Sequence, residues 1–306
     1  MRRSACAVLA VVGLLFAGCS GDDDEESAAT GPGTAAGPQP MNGPATTEVA
    51  AQDPATCAKG KTRAPELLTV ATGDPTFPPY VIDDDPGSGQ GFEAAVTYAV
   101  AAQMGFSHDQ VEWVRTTFEG AIQPGPKDFD FNIQQFSITP KRSKTVTFSE
   151  PYYEANQAIL GYTDSPAATA ATPAAIRELR IGVAAGTTSL TFVTDILHPT
   201  TEPFVYNDNA AAKQALDDSQ IDAIVADLPT ALSISTDEIE GTTVFGQFPP
   251  SPGTEGEPWG LLFAKASPLA TCANLALSAL RESGALDEIT VEWMSGSVDA
   301  PEIPLD

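Results

Sequence analysis

Leu67-Leu68-Thr69-Val70-Ala71-Thr72 reads as a buried strand, a short apolar run with β-branched residues and no polar alternation. Downstream, Phe92, Val96, Ala99, Val100 and Gln103 recur at helical spacing on a mostly apolar face. Val111 to Arg115 and Phe129 to Ile133 read as further strands. Alternating strand and helix of this kind is the pattern of an α/β layer fold. The pattern then restarts. Thr172-Pro173 opens a helix with a capping residue and a proline in the first turn. Arg180 to Val183 is a strand, Thr188 to Leu197 a helix, Pro203 to Tyr206 a strand and Asn209 to Leu216 a helix. Asp222 to Ala226 is a strand, Pro229 to Ile234 a short helix, Trp259 to Ala264 a strand and Pro268 to Glu282 an amphipathic helix. Two similar α/β halves imply a cleft between them.

Upstream of the first strand the chain changes character. Arg2 and Arg3 precede an apolar run from Ala5 to Ala17 that closes on Gly18 and Cys19. The run is shorter than the ~20 residues a spanning helix needs, and positive charge before a short apolar core is the mark of an export signal. Ala17-Gly18-Cys19 resembles a bacterial lipoprotein cleavage box, in which the cysteine becomes the lipid-bearing N-terminus. Phe16 stands where that box usually has leucine. The expectation is therefore a lipoprotein signal peptide over 1–18 and lipidation at Cys19; an ordinary signal with an incidental cysteine is the alternative. Residues 19–65 are rich in Gly, Pro, Ala, Thr and acid, with the run Asp22-Asp23-Asp24-Glu25-Glu26. Such a segment buries too little apolar surface to offset its chain entropy, and it reads as a disordered acidic tether.

The chain has 306 residues, 42% of them hydrophobic, enough for two packed lobes. Removing Arg2 and Arg3 with the leader takes the formal net charge from −26 to −28. That charge argues against nucleic acid as a partner, because phosphate backbones call for Lys and Arg, and against electrostatic adhesion to anionic lipid. With Cys6 lost and Cys19 acylated, Cys57 and Cys272 remain, and in an exported protein two remaining cysteines suggest one disulfide. Two free thiols are the alternative. His108 and His198 are far apart and no Cys/His metal spacing exists, so no metal and no cofactor is expected.

Six motifs follow in order: Asp74-Pro75-Thr76-Phe77-Pro78-Pro79-Tyr80, Gly91-Phe92-Glu93, Phe136-Ser137-Ile138-Thr139-Pro140-Lys141-Arg142, Phe148-Ser149-Glu150-Pro151-Tyr152-Tyr153, Gly182 to Ser189, and Asp222-Ala223-Ile224-Val225-Ala226-Asp227. From about Leu67 onward the chain resembles the family 3 extracellular solute-binding proteins, the polar amino-acid receptors of ABC importers. The resemblance implies a two-lobed, periplasmic-binding-protein-like fold (type II), each lobe a mixed sheet flanked by helices, with the ligand cleft between them. It places lobe I at 66–156 and 255–306 and lobe II at 157–254. It also implies a polar amino acid as ligand and ABC permease subunits as partners, with a monomer expected; the lipoprotein box at Cys19 adds the expectation of a location at the outer face of the cytoplasmic membrane through the lipid.

A zwitterion needs a cation for its carboxylate, an anion for its ammonium and walls for its side chain. Arg142 suits the first, since guanidinium grips a carboxylate with two charge-assisted bonds; Ser137, just before that turn, adds a backbone donor. Asp227 suits the second, at the carboxyl end of its strand where open α/β sheets place ligands. Capping of the following helix is its bland explanation. Thr188, with Ser189 beside it, opens a helix whose amide groups attract carboxylate, and Thr187 reads as its cap. Phe77 is the wall position that the resemblance implies, with Tyr80 a weaker candidate. Gln134 and Gln135 depart from the small residues the family commonly carries there, and their amides both donate and accept. Asp74 faces a basic side chain in some relatives but does not by itself set specificity. Asp83-Asp84-Asp85 reads as a solvated loop and Asp222 as a turn acid. Against a binding protein stand a dehydratase-like enzyme on the same fold, for which Glu93 is the tempting acid, and a ligand-sensing module.

Overall fold

A computed structural model of the protein describes residues 52–250, 256–294 and 300–305. The leader, Cys19 and the acid run lie outside the described residues.

Strand β1 (Leu68–Thr72) is buried along its whole length. It pairs in parallel with β2 (Val111–Arg115) and β3 (Phe131–Asn132), which explains its unbroken apolar run. The sheet is completed by β4 (Val146–Ala155) and β10 (Glu257–Ala264), in the order β2-β1-β3-β10-β4, with β10 antiparallel to both neighbours. A second five-stranded sheet repeats the plan. There β6 (Ile181–Ala184) pairs in parallel with β7 (Phe204–Tyr206) and β8 (Ala223–Asp227). Strand β5 (Gln157–Tyr162) runs antiparallel to β8 and β9 (Thr242–Gln247), giving β7-β6-β8-β5-β9. Only Asn156 separates β4 from β5, so the chain passes from one sheet to the other in a single residue.

The helices cover these sheets as their apolar spacing dictates. On the first, α2 (Phe92–Gln103) packs with α8 (Leu269–Glu282) and α9 (Ala285–Met294). Leu269, Ala273, Ala276, Leu277 and Leu280 recur three or four residues apart along α8, and all are buried. Full burial of each leucine contributes about 1.5–3 kcal/mol. On the second, α5 (Thr188–Phe192) and α6 (Asn209–Asp217) pack on β6 and β8, while α7 (Leu228–Ser233) lies on β5. The helix expected at Thr172-Pro173 is α4 (Pro173–Arg177), capped by the Thr172 hydroxyl on the Ala175 amide at 3.3 Å. A short α3 (Phe118–Ile122) stands at the cleft edge of the first lobe. No helix among the described residues is long and apolar enough to cross a membrane.

Two boundaries differ from expectation. Residues 52–65, expected in the tether, lie on the first lobe. There α1 (Pro54–Ala58) is capped by Asp53 on the Thr56 amide at 2.8 Å, and Cys57 is buried and bonded to Cys272 of α8. The Lys61 ammonium sits over that bridge, 3.4 and 3.3 Å from the two sulfurs, and the Arg63 amide donates to Asp130 at 2.7 Å. A covalent bond and polar contacts hold a segment whose composition has little to bury. At the other end, residues 300–305, expected in lobe I, lie along β9 of the second sheet. The Gln247 amide donates to Pro301 O and the Ile303 amide to Gln247 O, both at 2.8 Å, and the Ile303 side chain enters that lobe's core.

Candidate functional site

The lobes face each other across a cavity of about 490 Å³. Contacts cross it on both sides. The Ser137 hydroxyl lies 3.1 Å from Thr188 Oγ1, Tyr80 OH lies 2.7 Å from Thr230 Oγ1, and the Ser233 hydroxyl donates to Pro78 O at 2.6 Å. The lobes are therefore drawn together.

Arg142 opens a tight turn after Thr139-Pro140, its amide donating to Thr139 Oγ1 at 3.1 Å. The buried guanidinium donates from Nη1 to Ser137 O at 2.8 Å and from Nη2 across the cleft to Gly186 O at 3.0 Å. It also lies 5.2 Å from the centroid of the Phe118 ring. Burial draws its pKa down, and the charges of Asp227 and Glu257 oppose that shift. The neighbouring Lys141 is exposed, so the cation of this turn that lines the cavity is Arg142.

Asp227 ends β8 and precedes α7, the position of a helix cap, yet its side chain makes no capping bond. Its carboxylate instead accepts from Gln157 Nε2 at 2.9 Å, and the same amide donates to Glu257 at 3.0 Å. Burial, with the Glu257 charge beside it, pushes the Asp227 pKa up to about 8, against the pull of Gln157 and Arg142. Asp222 at the other end of that strand is a turn acid, held by Arg180 at 2.6 Å.

Asp74, Phe77, Gln134, Gln135, Ser137, Arg142, Thr188 and Asp227 all line the cavity, as does Tyr80. Ser189 does not; it is buried inside α5. Thr187 both caps α5, at 3.1 Å from the Leu190 amide, and lines the cavity. The two glutamines part company because Gln135 adopts a left-handed backbone, φ 48°. The Gln135 amide N–H donates to Glu93 at 2.8 Å and its side chain binds the other Glu93 oxygen. Gln134 keeps a buried Oε1 with no hydrogen-bond partner. Glu93 is fully enclosed behind them, bonded also by Tyr152 OH, and burial raises its pKa to about 7. It braces Gln135 and does not line the cavity. Within the acid run expected as a solvated loop, Asp84 differs: it pairs with Arg115 at 2.7 Å and accepts from the Thr76 amide at 2.9 Å.

Lys213, Glu238, Glu119, Asp208 and Thr230 also line the cavity and went unread in the sequence. The Lys213 Nζ stands 4.1 Å from the centroid of Phe77, across the cleft, and pairs with Glu238. The readable signal was the position of Lys213 as the one basic residue of α6, a helix that begins at the mouth of the cleft.

The family described as bacterial extracellular solute-binding proteins, family 3, matches residues 68–296. The arginine-binding periplasmic protein of Mannheimia haemolytica is 29% identical over 73% of this chain and 90% of its own length. The ABC transporter arginine-binding protein 1 of Escherichia coli K12 is 26% identical over 71% and 87%. Among solved structures, an ancestral arginine-binding protein bound to arginine superposes with a TM-score of 0.62 at 28% identity, covering 75% of this chain and 98% of that one. The ancestral arginine-binding protein bound to glutamine gives 0.63 at 28% identity, over 76% and 99%. With the match spanning most of the folded chain, this protein belongs to family 3 of the bacterial extracellular solute-binding proteins.

Proposed function

We propose that the protein captures a polar α-amino acid between its lobes outside the cytoplasm and delivers it to an ABC permease. One observation carries the reading: a buried guanidinium, Arg142, and a half-buried carboxyl, Asp227, line one cavity. A free amino acid presents the complementary pair. Arg142 takes the carboxylate, with Ser137 and Thr188 adding donors. Asp227, held by Gln157, takes the ammonium, and Phe77 with Tyr80 walls the side chain. The named relatives bind amino acids, in keeping with this assignment. Binding needs no reaction; hinge closure around the ligand is the working motion.

The first lobe in this reading runs from the α1 strap to residue 156 and resumes at 256–294. The second takes 157–250 with 300–305 laid upon it. Cys19 carries the lipid, the acidic segment after it serves as spacer, and the receptor works as a monomer beside its permease. Titration calorimetry against the common amino acids tests the central claim. Saturable binding without turnover supports it; no binding by a folded sample, or product formation, overturns it. Mass spectrometry of membrane-extracted protein tests the lipid on Cys19.

A further inference from the structure

The side-chain end of the cavity already holds a cation. Lys213 projects from α6 of the second lobe, and its Nζ lies 4.1 Å from the centroid of Phe77 on the first. The same ammonium is paired with Glu238, and the Lys213 side chain is 13% exposed. All three residues line the cavity. Cations are attracted to an aromatic face by the ring quadrupole, and here that face is taken by a residue of the chain itself. Glu238, an acid that could partner an incoming cation at this wall, is taken as well. Asp74, Glu119 and Asp208 also line the cavity, but they are exposed, where water and salt screen them. A guanidinium or ammonium side chain must therefore expel Lys213 from both partners before it can use the wall.

Gln134 supplies the second observation. Its Oε1 is buried in the cavity wall without a hydrogen-bond partner. A buried acceptor calls for a donor, and a side-chain carboxylate has none to offer. Glu238 already neutralises Lys213, so an acidic side chain gains no free cation there either. An uncharged side chain that donates a hydrogen bond meets all of these conditions; hydroxyls do so with one donor, and a carboxamide does so with two donors and an acceptor.

We propose that Lys213 is a specificity-determining residue: by occupying the face of Phe77 it turns the cavity toward amino acids with a carboxamide side chain and away from those with a guanidinium or ammonium. This rests on the reading of the cavity as an α-amino-acid site. Removing Lys213 opens the wall to a cationic side chain, whereas arginine at the same position keeps it filled.

Titration calorimetry with glutamine, arginine and glutamate on the full chain and on Lys213→Met and Lys213→Arg tests the inference. The wild-type protein is expected to bind glutamine at least about tenfold more tightly than arginine. Lys213→Met should tighten arginine by about tenfold while glutamine moves by less than about threefold. Lys213→Arg should keep the wild-type order. Should Lys213→Met fail to fold, Lys213→Gln removes the charge while keeping a polar chain, with the same expectation. A wild-type preference for arginine, or a glutamine-to-arginine ratio unmoved by Lys213→Met, overturns the inference alone. Tightest binding of glutamate overturns it too, by making Lys213 a ligand group. Absence of binding by every common amino acid overturns the underlying site as well.

Discussion

Arg142 of the first lobe and Asp227 of the second both line the cleft, the first buried and the second half-buried, and they are held in different ways. Two backbone carbonyls hold the guanidinium, one from each lobe. A single side-chain amide holds the carboxyl, and that amide is shared with a second acid, Glu257. A guanidinium starts so far above neutrality that burial leaves it charged. A carboxyl has no such reserve, and burial beside Glu257 carries Asp227 up to about 8. One pole of the site is permanent and the other depends on pH. The lobes differ in cross-linking too: the disulfide ties α1 to α8 within the first.

The strongest way to break this contrast is to remove the permanent pole. Arg142→Ala should weaken amino-acid binding by about a thousandfold, the scale of losing a bidentate, desolvated charge partner, with the fold retained by circular dichroism. Affinity near wild type would locate the carboxylate elsewhere. The covalent asymmetry comes next. Cys57→Ser with Cys272→Ser should cost about 3 kcal/mol of stability in denaturant titration and leave ligand affinity in the folded protein nearly unchanged. An unchanged midpoint would show that the bridge adds nothing to the packing of α1 on α8.

Asp227→Asn should weaken binding by about a hundredfold and flatten its pH dependence; a hundredfold loss with the pH dependence intact would move the proton to another group. The pH dependence itself is the finest test. Because the Asp227 pKa is raised, the ligand-free folded state holds an extra proton between the ordinary carboxylate value of 3.8 and about 8. This group's contribution to ligand-free stability therefore falls as pH rises across that window and levels off above it. Ligand affinity runs the other way, since the ammonium needs the ionised form. The dissociation constant should fall by up to about tenfold per pH unit between roughly 6 and 8, with proton release visible in calorimetry across buffers. A flat profile would mean Asp227 is already ionised in the empty cleft.

Much of this arrangement was legible in the chain. Continuous apolar runs marked β1 and β8 because both are covered on two faces. Arg142 and Asp227 stood out as charges set into motifs with little other reason to carry them. Strand β4 was harder, since Pro151 interrupts it; β4 is an edge strand, where a proline costs no ladder bond. Strand β9, with Thr242, Thr243, Gly246 and Gln247, lacks the alternation that marks a half-buried strand. Lys213 was hidden for a different reason. A lysine in an alanine-rich helix reads as a solvated residue, and only the approach of the opposite lobe gives it Phe77. Gln157 and Glu257 likewise acquire meaning only where the two sheets meet.

The strap formed by residues 52–65 has a mechanical consequence. Tension arriving from the N-terminal side reaches Cys57 within a few residues of the first described position, and there it passes through a covalent bond into α8. The segment from Lys59 to Glu66, held by polar contacts such as that of the Arg63 amide with Asp130, is bypassed. A pull applied N-terminal to Cys57 thus enters the first lobe through a long helix of its core.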